Sequence, residues 1–161
     1  VGHPLSLEIE PGRYLTAESG FLVTEIRGTK MMGNTGYYLV DAGFNNLARP
    51  ILYGSYHPMS VVPRAETPTE CRDMVVGGPL CESGDIFTQE KGGFVSPRSL
   101  PVAQTGDYLV IECAGAYGAV MGSNYNSKPL AAEVLIQDGV ARLIRARQSF
   151  EDLVRGETIP E

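Results

Sequence analysis

The residues best suited to chemistry lie in one short loop, Gly77–Asp85, which directly follows the apolar run Met74–Val76. The apolar run predicts a buried strand, and the glycines and the proline after it predict a tight turn. The loop presents a thiol at Cys81 and a carboxylate at Glu82. A loop anchored by a strand is a common position for binding and catalytic groups. A polar turn with a half-buried cysteine is the alternative interpretation.

The elements that must position this loop are mostly short strands. Alternating or continuous apolar patterns predict strands at Leu5–Glu10, Phe21–Lys30, Tyr37–Val40, Tyr53–Val62, Met74–Val76, Tyr108–Ile111, Ala131–Ile136 and Val140–Ala146, with a further short strand after Asp85. Asp138-Gly139 predicts a two-residue hairpin turn. Ser149 and Asp152 predict the start of a short helix that ends near Gly156. The fold class is therefore mainly β, an antiparallel barrel or sandwich with short helices.

Composition restricts the classes of partner. The chain has 161 residues, enough for one domain with a core, and a formal net charge of −6 with a pI near 5.0. Nucleic acids and anionic membranes select basic surfaces, so we expect neither as a partner. The apolar runs are too short to span a bilayer, which predicts a soluble protein. Arg142, Arg145 and Arg147 alternate along a predicted strand and are interpreted as a solvated face.

The cysteines indicate reduced thiols. Cys71, Cys81 and Cys113 are widely spaced and form no CxxC pair, and the two histidines, His3 and His57, lie far apart. Neither a disulfide framework nor a metal site is predicted, and a cytoplasmic location follows. Cys71 and Cys113 are expected in the core.

Six short motifs occur in an order and spacing that resemble one family. They are Glu10–Arg13, Asp41–Asn45 with Arg49-Pro50, Tyr53–His57, Gly78–Asp85, Gly115–Gly118, and Ser123–Ser127 with Pro129. Together they resemble the C-terminal part of the diaminopimelate decarboxylases, which are fold type III enzymes dependent on pyridoxal 5'-phosphate (PLP). The match runs nearly from end to end of the chain.

The resemblance implies a two-domain protein. Residues 1–20 would be the last strand and C-terminal end of an N-terminal TIM-like PLP barrel, and residues 21–161 a C-terminal Greek-key β-barrel domain. The sequence begins without an initiator methionine, so a shortened or processed polypeptide is one explanation of its start. The family's Schiff-base lysine would lie upstream, because Lys30, Lys91 and Lys128 match no such motif. We therefore expect this chain alone to be inactive.

The first motif resembles part of the family's cofactor site. Glu10 resembles the partner of the pyridine nitrogen, where an anion keeps the ring protonated and able to accept electrons. Pro11 and Gly12 would let the backbone approach the cofactor phosphate, and Arg13 offers a forked cation to that phosphate or to a substrate carboxylate. A solvent-facing strand residue is the alternative for Glu10.

The remaining motifs resemble substrate and catalytic positions. Arg49 and Tyr53 resemble the pair that holds the substrate's distal carboxylate, although an ordinary structural pair is the alternative. Cys81 resembles the family's proton donor, and a thiol that is mostly protonated at neutral pH would suit that role. Glu82 would pair with the distal ammonium of the substrate, and Tyr117 resembles a tyrosine that contacts both cofactor and substrate.

The implied reaction is conversion of meso-2,6-diaminopimelate to L-lysine and CO2. In the family the loop carrying Cys81 and Glu82 reaches across a homodimer interface into the partner's active site. Two alternatives remain open at this point. One is a relative that decarboxylates ornithine or arginine, and the other is a free-standing β-barrel that only binds or dimerises.

Overall fold

The computed structural model describes residues 2–65 and 68–160, and short strands are the most frequent regular elements in them. Within these ranges the strands are β1 (Leu22–Met32), β2 (Thr35–Val40), β3 (Met59–Val62), β4 (Cys71–Gly77), β5 (Arg98–Pro101), β6 (Tyr108–Ile111), β7 (Glu133–Gln137) and β8 (Val140–Arg145). The helices are α1 (Gly12–Thr16), α2 (Arg49–Tyr53) and α3 (Phe150–Val154), with 3-10 turns at Ala17–Ser19, Ala119–Met121 and Tyr125–Ser127. No helix in the described ranges has the length and hydropathy needed to cross a membrane.

Six of the strands form one sheet that curls into a nearly closed barrel. The strand order is β3-β6-β1-β2-β4-β5, and the two edge strands β3 and β5 approach each other. The long strand β1 serves two neighbours: its residues Leu22–Glu25 pair with β6, and its residues from Ile26 onward pair with β2 across a bulge. Strands β7 and β8 form a separate two-stranded sheet.

The core fills the interior of this barrel. Its buried residues come from most of the barrel strands and from the loops after β2, β4 and β5, namely Ile26, Tyr38, Val40, Ala42, Leu47, Met74, Val76, Phe87, Leu100, Ala103, Leu109 and Ile111. The one phenol among them is satisfied, because the Tyr38 hydroxyl donates to Pro101 O at 2.6 Å and accepts from Ala103 N at 2.8 Å. The barrel is thus a rigid support for its surface loops.

The predicted fold class is confirmed, with one departure in strand direction. β2 and β4 pair in parallel, from Gly36 opposite Met74 to Leu39 opposite Gly77, whereas the other pairings are antiparallel. The intervening chain passes through α2 and β3 before β4 begins, and this crossover allows the two strands to run in the same direction.

Three predictions about strands near the site were wrong. Residues 5–10 form no strand, since a strand needs a lateral partner and the described residues supply none. Leu5, Leu7 and Ile9 are 98%, 91% and 75% exposed. The strand predicted over Tyr53–Val62 is confined to β3, because α2 extends to Tyr53 and Gly54 caps it in the left-handed conformation. The predicted strand after Asp85 is reduced to isolated bridges, and β5 was not predicted.

The C-terminal predictions are confirmed. Asp138 and Gly139 adopt φ values of 53° and 74°, as a two-residue hairpin turn requires. At the start of α3, Ser149 Oγ accepts from Asp152 N at 3.2 Å, and Ser149 N donates to Asp152 Oδ2 at 2.8 Å. This reciprocal pair is the predicted capping box, and the helix ends at Val154, just before Gly156.

Candidate active site

Helix α2 presents a cation between two aromatic rings. Arg49 and Tyr53 are four residues apart and share a face of the helix, with the guanidinium carbon 5.5 Å from the Tyr53 ring centre. The same carbon lies 5.8 Å from the ring centre of Tyr117. Arg49 Nη2 also donates to Ser55 Oγ at 3.1 Å. We call Arg49, Tyr53 and Tyr117 the Arg49 cluster; it is a partly exposed cationic site suited to a carboxylate.

The third member of this cluster stands on a strained backbone. Tyr117 has φ of 56°, a left-handed conformation that non-glycine residues seldom adopt. Its ring is 46% exposed, while its neighbours Ala116 and Gly118 are buried. Strain of this kind persists only where the surroundings hold it, and it is frequent at functional sites.

Segment 12–20 is held against the Tyr117 loop by two glycines in close contact. A Cβ on Gly115 would lie 2.0 Å from Thr16 O, and a Cβ on Gly20 would lie 2.4 Å from Gly115 Cα. Backbone bonds complete the contact, because Gly115 N donates to Ala17 O at 3.0 Å and Ala114 N donates to Gly20 O at 2.8 Å. Only residues without a side chain permit this approach.

The contact places α1 beside the Arg49 cluster. A Cβ on Gly12 would lie 3.2 Å from the Tyr117 hydroxyl, so the start of α1 and this phenol are neighbours. Arg13 is exposed in the first turn of α1. Glu10 is also exposed, and its carboxylate forms no hydrogen bond within the described ranges. A cationic side chain, a phenol donor and a residue without a side chain fit an anionic phosphate group.

A buried histidine supports the cluster from the barrel side. The His57 ring is only 3% exposed, and its Nδ1 donates to Glu112 O at 2.9 Å. Burial lowers the pKa of His57, the hydrogen bond to Glu112 opposes that effect, and the charge of Arg49 adds to it. Nε2 of this ring has no hydrogen-bond partner among the described residues. The imidazole is therefore neutral at pH 7.

Arg98 holds the same segment from β5. It donates to the carbonyl of His57, and its guanidinium carbon lies 4.1 Å from the ring centre of Tyr56. Burial lowers the pKa of Arg98, yet an arginine remains charged at neutral pH. Sequence reasoning missed both His57 and Arg98 as members of this region. The Tyr53–His57 motif was the available signal for the histidine.

The loop after β4 is held by a buried carboxylate. Asp85 is 4% exposed, its Oδ1 accepts from Phe44 N at 2.8 Å, and its Oδ2 accepts from Leu80 N at 2.8 Å. Gly78 N donates to the Asp85 carbonyl at 2.9 Å. Burial raises the pKa of Asp85, while the bonds from Leu80 and Phe44 oppose the rise. The loop therefore has a fixed shape although its tip is exposed.

Cys81 and Glu82 lie at this exposed tip. Cys81 N donates to Asn126 Oδ1 at 2.8 Å, and Tyr125 donates its hydroxyl hydrogen to Glu82 Oε2 at 3.3 Å. Glu82 Oε1 accepts from Gly84 N at 3.2 Å. Hydrogen bonds, that from Gly84 N first, hold the pKa of Glu82 below its usual value. Glu82 is thus an anion at neutral pH, next to a free thiol.

The two groups of predicted site residues occupy opposite sides of α2. A Cβ on Gly84 would lie 2.8 Å from Ile51 Cδ1, so the loop tip contacts the helix at Ile51. Ile51 is two residues from both Arg49 and Tyr53, which places it on the other face of α2. The structure brings Arg49, Tyr53, Tyr117 and Gly12 together, and among the described residues no hydrogen bond or ion pair joins them to Cys81 or Glu82.

The other cysteines do not have the core positions expected for them. Cys71 is exposed at the start of β4, and Cys113 is half-buried. Cys71 pairs with Pro101 on the edge strand β5. All three thiols are free.

The barrel and the residues around α2 fit one protein family. Residues 13–115 match the family described as pyridoxal-dependent decarboxylase, C-terminal sheet domain, and the chain belongs to that family. Within it the chain is homologous to the diaminopimelate decarboxylases. The enzyme of that name from Escherichia coli strain K12 is 54% identical over 162 residues, which cover 99% of this chain and 39% of the relative. The chain therefore spans about two fifths of the length of such relatives.

Solved structures agree with this assignment. A crystal structure of diaminopimelate decarboxylase is 55% identical, with a TM-score of 0.87 over 95% of this chain and 37% of the other. The diaminopimelate decarboxylase of Helicobacter pylori complexed with L-lysine is 40% identical, with a TM-score of 0.76 over 91% of this chain and 34% of the other.

Proposed function

We propose that this chain is the C-terminal domain of a diaminopimelate decarboxylase that converts meso-2,6-diaminopimelate to L-lysine and CO2. The Arg49 cluster is the observation that carries the proposal, since it places a forked cation between two aromatic rings at the barrel rim. The homology supports the same reaction. The L-lysine bound to the Helicobacter pylori relative is the product that the reaction would leave.

The charges of the Arg49 cluster and of Glu82 would recognise the substrate. Arg49 binds the distal carboxylate through its fork, and Tyr53 orients that group. Glu82 pairs with the distal ammonium. Ornithine has no distal carboxylate and would leave Arg49 without a partner, which disfavours an ornithine decarboxylase. The homology also disfavours a barrel that only binds or dimerises.

The residues near α1 would hold the cofactor. When bound, PLP supplies an electron-withdrawing ring that stabilises the negative charge left by the departing CO2. Arg13 and the Tyr117 hydroxyl would bind its phosphate where Pro11 and Gly12 let the backbone approach, and Glu10 would pair with its pyridine nitrogen. These assignments are supported by the proximity of Gly12 to Tyr117.

An upstream barrel domain completes this half of the site. Residues 1–20 would form the junction with that barrel, whose Schiff-base lysine has no counterpart among the lysines of this chain. The exposed apolar side chains of Leu5, Leu7 and Ile9 are suited to cover by that domain. The chain by itself would therefore be inactive.

Cys81 would supply a proton to the substrate carbon that has lost CO2. The loop carrying Cys81 and Glu82 contacts α2 at Ile51, on the face opposite Arg49 and Tyr53, and we propose that it enters the active site of a partner subunit. A homodimer related by a two-fold axis would then form two such sites. The free thiols are in keeping with a reducing cytoplasm.

Replacement of Arg49 tests this function in the full-length protein. We expect Arg49→Ala to raise the KM for meso-diaminopimelate by about 10- to 100-fold, because a hydrogen bond to a charged group contributes about 1.5–3 kcal/mol. Steady-state CO2 release measures the effect. Arg64→Ala is the matched control. The guanidinium carbon of Arg64 also lies near a tyrosine ring, 5.3 Å from the ring centre of Tyr108, but Arg64 is not part of the Arg49 cluster.

Two results would contradict the proposal. One is a wild-type protein that fails to release CO2 from meso-diaminopimelate in the presence of PLP. The other is an equal effect of Arg49→Ala and Arg64→Ala on KM, because it would reduce Arg49 to an ordinary surface arginine.

A further inference from the structure

One turn contacts both residues at the tip of the β4 loop. The turn is Asn124–Ser127, and it bonds the backbone of Cys81 through Asn126 Oδ1 at 2.8 Å. The preceding residue, Tyr125, donates its hydroxyl hydrogen to the Glu82 carboxylate at 3.3 Å. Adjacent residues of one turn therefore hold adjacent residues of the other loop. The two loops are 45 residues apart in sequence at the first contact.

Two residues of this turn adopt the left-handed backbone conformation. Asn126 and Ser127 have φ values of 54° and 55°. Asparagine is one of the few residues with a side chain that enters this region readily. Asn124 closes the turn, because its Nδ2 donates to Lys128 O at 2.9 Å and to Gln148 Oε1 at 2.7 Å. The side chain of Asn126 is thereby directed at Cys81 and not at its own turn.

The tyrosine of the turn is fixed from a second side. The rings of Tyr125 and Phe44 are 4.8 Å apart between centres and tilted by 54°. Phe44 N donates in turn to Asp85, the carboxylate that closes the loop of Cys81. Burial raises the pKa of Tyr125, and the Glu82 charge adds to the rise, so the phenol remains a donor. The aromatic contact sets where that donor points.

We propose that Asn126 and Tyr125 are positioning residues for the decarboxylation. Asn126 fixes the backbone that carries the proton donor Cys81, and Tyr125 fixes the carboxylate of Glu82 that recognises the distal ammonium. This inference rests on the proposed function. The two residues would affect different kinetic parameters. Asn126 acts on a proton transfer and so on kcat, whereas Tyr125 acts on substrate binding and so on KM.

Variants of the full-length enzyme test the two roles separately. Asn126→Gly keeps the left-handed backbone accessible and removes only the acceptor, so we expect kcat to fall by about 10-fold with little change in KM. Asn126→Asp keeps an oxygen acceptor and restores most of kcat. Tyr125→Phe keeps the ring contact with Phe44 and removes only the hydroxyl, so KM rises by about 3- to 10-fold with kcat nearly unchanged.

Hydrogen exchange provides a readout that does not depend on activity. The amide of Cys81 is expected to exchange about 10-fold faster in Asn126→Gly than in the wild type, and at the wild-type rate in Asn126→Asp. Asn34→Gly is the matched control, since Asn34 lies in the exposed turn between β1 and β2. We expect that variant to change neither the exchange at Cys81 nor the kinetics.

The outcomes separate this inference from the proposed function. If Cys81→Ala and Glu82→Ala lose activity while Asn126→Gly and Tyr125→Phe match the wild type, the inference is overturned and the function stands. If the wild type does not decarboxylate meso-diaminopimelate, or if Cys81→Ala is fully active, the proposed function fails instead. Equal exchange of the Cys81 amide in the wild type and Asn126→Gly overturns the positioning role of Asn126 whatever the activity.

Discussion

At the scale of residues, His57 links the Arg49 cluster to the barrel. Its ring donates to Glu112 at the end of β6, and its carbonyl accepts from Arg98 on β5. Two residues earlier, Ser55 accepts from Arg49. The short segment 55–57 therefore anchors the guanidinium group of Arg49 to two barrel strands.

The histidine predicts a dependence of stability on pH. Burial lowers its pKa below the ordinary value of 6.5, so folding favours the neutral imidazole. Well above pH 6.5, neither state binds the proton and this contribution is complete. As the pH falls below that value, the unfolded chain takes up a proton that the folded chain does not. Stability then falls, by at most about 1.4 kcal/mol per pH unit for one such group.

Urea denaturation of the full-length protein between pH 7 and pH 5 measures this effect at fixed protein concentration. His57→Asn, whose amide can still donate to Glu112, should show a smaller loss of stability over this interval than the wild type. His3→Gln is the control, because His3 is the other histidine of this chain and lies in the exposed N-terminal segment. Parallel pH profiles for wild type and His57→Asn would exclude this role for His57.

At the scale of elements, the contact between Gly20 and Gly115 brings α1 to the Tyr117 loop. The backbones approach so closely that a single added methyl group would overlap main-chain atoms. The proposed cofactor site would be assembled from α1 and this loop, so it depends on that approach. The glycine-rich composition of Ala114–Gly118 thus has a packing explanation that does not involve loop mobility.

Substitution at this contact should affect both stability and cofactor binding. We expect Gly115→Ala to destabilise the protein by about 3 kcal/mol, since the neighbours are backbone and cannot rotate away. Displacement of α1 should also weaken PLP binding, which titration of cofactor absorbance measures. In Gly156→Ala the added Cβ meets nothing within 4 Å, and we expect a change within about 0.5 kcal/mol. Equal stability of the two variants would contradict this account.

Elements defined by neighbouring residues could be predicted from sequence. The hairpin at Asp138-Gly139 and the capping box of α3 depend on residues within a few positions, and both predictions were correct. The parallel pairing of β2 with β4 depends on strands far apart in sequence and was missed. The pattern of residues 5–10 is that of a strand, but a pattern supplies no partner.

The same distinction applies to the candidate site. Arg49 and Tyr53 are four residues apart, and their shared face follows from helical geometry. The partners of Arg98 and His57 lie 41 and 55 residues away, so no local pattern indicates them. Likewise, the bond from Cys81 to Asn126 is visible only once the two loops are folded together.

At the scale of the whole molecule, α2 lies between two groups of candidate site residues. Arg49 and Tyr53 face the Tyr117 loop, whereas Ile51 on the other side contacts the loop of Cys81 and Glu82. Under the proposed function, each side of this short helix would carry half of a site. Two chains arranged about a two-fold axis can combine unlike halves into complete sites, which one chain cannot do.

Subunit mixing of two defective full-length variants, assayed at a meso-diaminopimelate concentration below the wild-type KM, tests this claim most directly. Arg49→Ala and Cys81→Ala chains are each defective, but a heterodimer would hold one site with both defects and one intact site. Random pairing makes about half of the dimers heterodimers, so CO2 release should recover to about a quarter of the wild-type value. Two observations would contradict a site shared between subunits: no recovery despite demonstrated subunit exchange, or full activity of either variant alone.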